Sequence, residues 1–266
     1  MDRPGTSQQS VEKIDKVEMY ELREHVPYHP EVTRTSKSYD EESAVQYKSS
    51  WESAWMAICQ LVNLLHHMQV AIVVFCIWNF ALTSESNGVI TNLQLHIVFA
   101  GTGYQLFLVE AILTIHRHNS WSFQLSADGK RIVHGSLQLV GSVFVIAGTF
   151  LALAETDMQI NTAHGICGVI ALAFSIISLI SGIVALFSSK VRLMIKSGPV
   201  KILHISVGIF AVSMGLITLV IGFNTDFFRT DREGLATCMM VFVLMTLIYI
   251  MIQPIIDVVS TTRKTL

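Results

Sequence analysis

Six long apolar stretches constrain this chain more than any other feature, and the four middle ones each carry a single histidine near one end: His96, His134, His164 and His204. The stretches run over about 55–82, 92–115, 132–153, 162–187, 201–223 and 235–258. A hydrocarbon core of roughly 30 Å is crossed by about 20 helical residues, so each is long enough. Lipid offers the backbone no hydrogen bonds, which leaves helices or a closed barrel, and no stretch alternates at period two as barrel strands do. The expectation is an all-α membrane protein with six transmembrane helices. Short polar connections such as 83–88 and 196–199 separate the spans.

Composition agrees. Of 266 residues, 52% are hydrophobic and 14% charged, with a mean hydropathy of +0.53, which excludes an ordinary soluble domain. The formal net charge is -2 and the basic residues lie in short loops, so nothing points to nucleic acid. Cys59, Cys76, Cys167 and Cys238 all fall within apolar stretches and form no CxxC pair. Neither a disulfide framework nor a zinc site is indicated, and buried thiols are expected. Residues 1–50 are polar and carry no apolar run, hence no cleavable signal peptide. They read as a disordered cytoplasmic tail, with His25 and the Tyr28-His29-Pro30 cluster solvated rather than metal-binding. The transmembrane domain is then 51–266.

Basic residues orient the spans. Arg117, Lys130 and Arg131 lie between spans two and three; Lys190, Arg192, Lys196 and Lys201 lie between four and five; Arg263 and Lys264 end the chain. The opposite loops hold Glu85, Glu155, Asp157, Asp226, Asp231 and Glu233, with Arg229 and Arg232 as their basic residues. The positive-inside rule places both termini in the cytoplasm. The C-terminal residues 261–266 show no retention signal, so endomembrane and plasma membrane both fit.

With that topology His96 and His164 share the outer depth, and His134 and His204 the inner one. An imidazole inside a span is costly and marks function by default. Four of them, paired at two depths on antiparallel helices, read as axial ligands of two b-type haems inside a central four-helix bundle. A separation of about 14 residues corresponds to about 20 Å between the two levels. Gly141 and Gly148 follow His134 at heptad spacing, and Gly208, Gly215 and Gly222 repeat beside His204. Gly168, Ser175 and Gly182 run likewise along the His164 span. Small residues let membrane helices approach closely; here they also leave room for a flat macrocycle. Glu110 is heptad-related to His96 and Gly103, so it is expected to face the bundle near the inner haem and tune its potential, or to pair with Arg117 or Lys130. His66 and His67 fall in span one, outside the bundle, where they can hydrogen-bond a neighbouring helix. His116 and His118 read as loop surface.

The residues that carry these patterns resemble the cytochrome b561 family over about 50–260. The matching segments are Leu95-His96 with Glu110-Ala111-Ile112-Leu113, then Lys130-Arg131-Ile132-Val133-His134. Thr162-Ala163-His164-Gly165 and Lys201-Ile202-Leu203-His204 with Gly208 complete the set. The likeness is greatest to the short, cytochrome b561 domain-containing branch without a DOMON domain. It implies six helices, two haems b held by His96 with His164 and His134 with His204, and electron transfer from cytosolic ascorbate. Monodehydroascorbate or ferric iron is the implied acceptor, and Lys130 and Arg131 carry over as the family's basic residues before the third-span histidine. Lys201, one turn from His204, converges on the same region as a further anion contact. Two positions depart from the family: Ile97 follows His96 where proline is common, and Ile115-His116-Arg117-His118 lacks a Tyr-Arg ending.

The competing reading is a haem-free multi-pass transporter whose histidines bind metal ions or relay protons. Such proteins gather polar groups at the midplane on helices broken by Gly and Pro, whereas here the histidines occupy two levels and only Pro254 interrupts a span. A structural scaffold leaves the paired histidines unexplained. The oligomeric state stays open, a homodimer included.

Overall fold

The computed structural model describes residues 50–83, 89–116, 119–156, 160–188, 197–230 and 232–265. The expected tail before Ser50, with His25 and His29, lies outside them, as do Glu85, Arg117, His118, Asp157, Lys190, Arg192, Lys196 and Asp231. Among the described residues every regular element is helical.

The spans are α1 (Ser50–Thr83), α2 (Asn92–Thr114), α3 (Ala127–Glu155), α4 (Ala163–Ser188), α5 (Ser197–Phe223) and α6 (Glu233–Thr265). All six are long and apolar enough to cross a bilayer. Local signals start the two helices whose caps are clearest. Thr91 opens α2 with a capping box, its hydroxyl accepting from Gln94 N at 3.2 Å while Gln94 Oε1 accepts from Thr91 N at 2.8 Å. Ser126 caps α3 by accepting from Gly129 N at 3.1 Å, and Asp128 in the first turn suits the positive helix end. Pro199 sits in the first turn of α5, where its missing N–H has no helical partner to lose.

α2 pairs with α3 and α4 with α5, and the two hairpins face each other as the central four-helix bundle. α6 lies along α5, and α1 reaches α2 and α6 through side chains. Trp78 Nε1 donates to Thr102 Oγ1 at 2.8 Å, and Gln69 Nε2 to the Phe242 carbonyl at 2.6 Å. The buried face of α1, Asn63, His66, Val70, Val73, Ile77, Phe80 and Ala81, follows helical spacing, with half-buried residues such as His67 and Gln69 at its border and the opposite face exposed. α2 is the most enclosed span: 67% of its apolar window is buried, against 28–33% in the other five.

Gly103–Leu108 forms a π-helical turn in the middle of α2. Such a turn holds one residue more than an α turn and so rotates everything after it by about 100°. This breaks the heptad line from His96 through Gly103 to Glu110. Glu110 leaves the bundle seam and turns to α1, where His67 Nδ1 meets its Oε1 at 2.6 Å. The heptad expectation thus fails for a definable reason.

Three glycines let α2 and α3 approach closely. A Cβ at Gly148 would lie 2.6 Å from the Ala100 backbone nitrogen, one at Gly141 2.8 Å from Leu108, and one at Gly103 2.8 Å from Val145. Gly141 and Gly148 therefore serve helix packing and do not leave room for a macrocycle, which corrects the sequence reading. The cysteines also depart from it: all four are free, but Cys238 is exposed and the other three only half-buried.

Gly148→Ala should press a methyl group into the Ala100 backbone, which cannot yield as a side-chain tip can. Overpacking of this kind costs about 1–3 kcal/mol, and a lowered thermal unfolding midpoint in detergent or nanodiscs, without loss of helical circular dichroism at low temperature, is the expected result.

Candidate functional site

Each hairpin contributes one histidine to each of two levels. His96 on α2 meets His164 on α4 with ring centres 6.0 Å apart and planes at 82°. His134 on α3 meets His204 on α5 at 6.2 Å and 83°. All four rings are half-buried between the hairpins.

The outer nitrogen of each ring is tied to a helix backbone. His96 Nδ1 donates to the Gly148 carbonyl at 2.8 Å, and His134 Nδ1 to the Ala111 carbonyl at 2.7 Å. His164 Nδ1 donates to Thr218 O at 3.0 Å, and His204 Nδ1 to Ser178 O at 3.2 Å with Ser181 Oγ 3.3 Å away. A carbonyl can only accept, so Nδ1 carries the hydrogen and Nε2 keeps its lone pair. Four imidazoles of one tautomer, each braced through Nδ1, are the arrangement that metal-ligating histidines need.

The residues fit a haem. A metal–imidazole bond of about 2.0 Å, with about 1.1 Å from the nitrogen to the ring centre, places two axial rings about 6.2 Å apart. Both pairs match that spacing. Beside His96 and His164 lies a cavity of 640 Å³, lined largely by apolar atoms, with Tyr104, Gly168, Gly215 and Phe223 in its walls. That size lies within the range of about 300–1,000 Å³ typical of cofactor and ligand pockets. The His204 and His164 rings rest against glycines on the opposite helix of their hairpin. A Cβ at Gly182 would lie 2.8 Å from His204 Cε1, and one at Gly222 3.1 Å from His164 Cε1. Among the described residues, no group of three or more His, Cys, Asp or Glu converges as a bare metal-ion site would require.

Tyr104 escaped the sequence reading. Its ring packs into the space left by Gly215 on α5, and its hydroxyl lies 3.2 Å from Ser175 Oγ on α4, so one side chain ties α2 to both helices of the other hairpin. The signal was present in the heptad positions of Gly215 and Ser175, which mark a face waiting for a large partner.

The remaining candidates divide. Lys130 is half-buried in the first turns of α3 and Lys201 is exposed on α5, each within about a turn of the His134–His204 level. Arg131 is exposed and held by Asp128 Oδ1 at 2.9 Å, a surface pair worth little to stability. Glu110 is bonded instead to His67 and to Trp121, whose Nε1 donates to its Oε2 at 3.3 Å. His116 is buried at 8% exposure beside the Tyr249 ring, 5.8 Å away, and is not loop surface. The connection folds back there because Asn119 Nδ2 donates to Leu113 O and Ser122 Oγ to Thr114 O, both at 2.8 Å.

Comparison with known proteins agrees with this geometry. The model of the family described as eukaryotic cytochrome b561 matches residues 95–229, from just before His96 to just beyond α5. No curated protein and no solved structure matches. The matched region contains all four braced histidines, nearly all of both facing hairpins, and the cavity lining apart from Ile77 and Leu93. The chain belongs to the eukaryotic cytochrome b561 family, whose members carry electrons across membranes on haem b.

Proposed function

We propose that the chain is a dihaem oxidoreductase, with one haem b held by His96 and His164 and a second by His134 and His204. Ascorbate on the cytosolic side is the donor, and monodehydroascorbate or ferric iron on the opposite side the acceptor. The observation that carries this is the repetition: two imidazole pairs at 6.0 and 6.2 Å, each ring braced through Nδ1 to a backbone carbonyl. Haem b held by these histidines would supply a one-electron carrier.

The chain's own residues hold the two levels apart and in place. Backbone carbonyls set each ring's orientation, and Tyr104 packs the interior between the hairpins. Both termini are assigned to the cytosol by the basic connections, which puts His134 and His204 at the cytosolic level. Lys130, Arg131 and Lys201 border that level and would attract an enediolate anion. Across the membrane, the cavity mouth beside His96 and His164 presents Glu155, Thr156 and Asn161 toward an acceptor.

Pyridine haemochrome analysis should give two haems per chain. His96→Ala or His164→Ala should remove one, and His134→Ala or His204→Ala the other; haem-free wild type in well-folded protein would end the reading. Gly182→Ala should perturb the spectrum of the His134–His204 haem through its 2.8 Å approach to the His204 ring, and leave the other haem unchanged.

Replacing Lys130 and Arg131 together with alanine should raise the ascorbate concentration for half-reduction about tenfold, as expected for loss of roughly 1.4 kcal/mol of charge attraction, while dithionite reduction stays intact. An unchanged ascorbate titration would place the donor elsewhere.

A further inference from the structure

On the α1 side of α2, a group of polar side chains lies outside the axial site. His67 and Glu110 are its centre, with side chains 18% and 16% exposed and 2.6 Å between Nδ1 and Oε1. Asn119 fixes the proton arithmetic of the pair. Its Nδ2 donates to the Leu113 carbonyl at 2.8 Å, which turns Oδ1 toward His67 Nε2 at 3.1 Å. Oδ1 can only accept, so Nε2 carries a hydrogen. Nδ1 and Oε1 then face each other across one position for a proton, bound to the ring or to the carboxyl. On its other side Glu110 Oε2 accepts from Trp121, whose indole is 43% exposed and lies in the connection after α2.

The pair is joined to the axial site by a single step along the chain. Ala111, the residue after Glu110, accepts the Nδ1–H of His134. The π turn sets both contacts at once, because the rotation that carries Glu110 to α1 carries the Ala111 carbonyl to α3. π turns of this kind recur at functional sites. A charge change at the His134–His204 level and a proton at the pair act on each other through a low-dielectric interior, where such interactions are strong.

We propose that His67 and Glu110 together hold one exchangeable proton that offsets the charge of an electron at the His134–His204 level. The proposal rests on the reading that a haem occupies that level. As the electron arrives, one proton from the cytosolic side forms an O–H bond on Glu110 or an N–H bond on His67; when the electron leaves, that bond breaks and the proton returns. The proton position lies between the two side chains, so it is assigned to the pair and not to either residue alone. Other titratable groups around it are His66, whose ring is 6.5 Å from that of His67 and 4.4 Å from that of Tyr249 on α6, and His116, which also faces Tyr249. From α3, Arg131 is engaged by Asp128 and neither it nor Lys130 is ion-paired to Glu110.

The test is a spectroelectrochemical titration of the haem-loaded protein in nanodiscs between about pH 6 and about pH 9, spanning the range in which an imidazole-centred proton exchanges. His67→Gln and Glu110→Gln are compared with wild type. One proton per electron makes the midpoint fall by about 59 mV per pH unit, the equivalent of a tenfold change for a one-electron couple. The wild-type His134–His204 haem should show a clear fraction of that slope, with a carboxyl band in the reduced-minus-oxidised infrared spectrum. Glu110→Gln should lose both, His67→Gln should flatten the slope, and the His96–His164 haem should keep the same potential in all three proteins. A slope that survives in both variants, or is absent from wild type, overturns the proposal and leaves the pair a fastening between α1 and α2. Haem content of the same samples separates the two failures. Fewer than two haems in wild type overturns the dihaem reading and the proposal with it, whereas two haems with pH-independent midpoints overturn the proposal alone.

Discussion

The hydrogen bond from each histidine Nδ1 to a backbone carbonyl is the interaction on which the rest of the structure depends. An imidazole inside a span has an N–H that lipid cannot satisfy, and a buried unpaired donor costs about 1–3 kcal/mol. Helix carbonyls already engaged in their own ladder have a second lone pair to offer. The Gly148, Ala111 and Thr218 carbonyls accept from His96, His134 and His164, and Ser178 accepts from His204 while also taking the Ser181 hydroxyl. In each case donor and acceptor lie on the two helices of one hairpin. The bonds therefore close the α2–α3 and α4–α5 pairs internally and turn the four remaining nitrogens toward the space between them.

Close helix approach makes those bonds geometrically possible. Between α2 and α3 the approach is backbone against backbone, with Gly148 against Ala100 and Gly103 against the Gly141 region. Between α4 and α5, Gly182 and Gly222 instead leave room for the His204 and His164 rings. Membrane helices gain little from apolar contact with one another, since lipid is equally apolar, so packing density and interhelical hydrogen bonds have to hold the bundle. The same logic explains the polar contacts of α1, which supplements its buried face of Val70, Val73 and Ile77 with hydrogen bonds from Trp78, Gln69 and His67.

The π turn in α2 ties these layers together. Without it, Glu110 would lie on the His96 face and a carboxylate would enter the space between the hairpins, where a charge without a partner is expensive. With it, the carboxylate meets an imidazole and an indole, and the carbonyl of the following residue reaches His134. The connection to α3 is pinned in turn by Asn63, whose Oδ1 accepts from Ser120 N at 2.8 Å and whose Nδ2 donates to Tyr249 OH at 3.2 Å. Asn63, His66, His67, His116 and Tyr249, distant along the sequence, come together in three dimensions.

The sequence by itself determined the six spans and the position of each histidine along its span, because apolar length and position along a helix are local quantities that no packing arrangement can alter. From depth and antiparallel order it also followed which histidines pair, and the ring spacings agree. What it could not determine was azimuth. Heptad counting assumes an unbroken 3.6-residue turn, and one π turn between Gly103 and Leu108 rotated Glu110 away from its expected place. The role of the glycines was likewise decided only by tertiary structure. A missing side chain states that something comes close, but whether that neighbour is the Ala100 backbone, the His204 ring or the Tyr104 ring depends on which helices lie opposite.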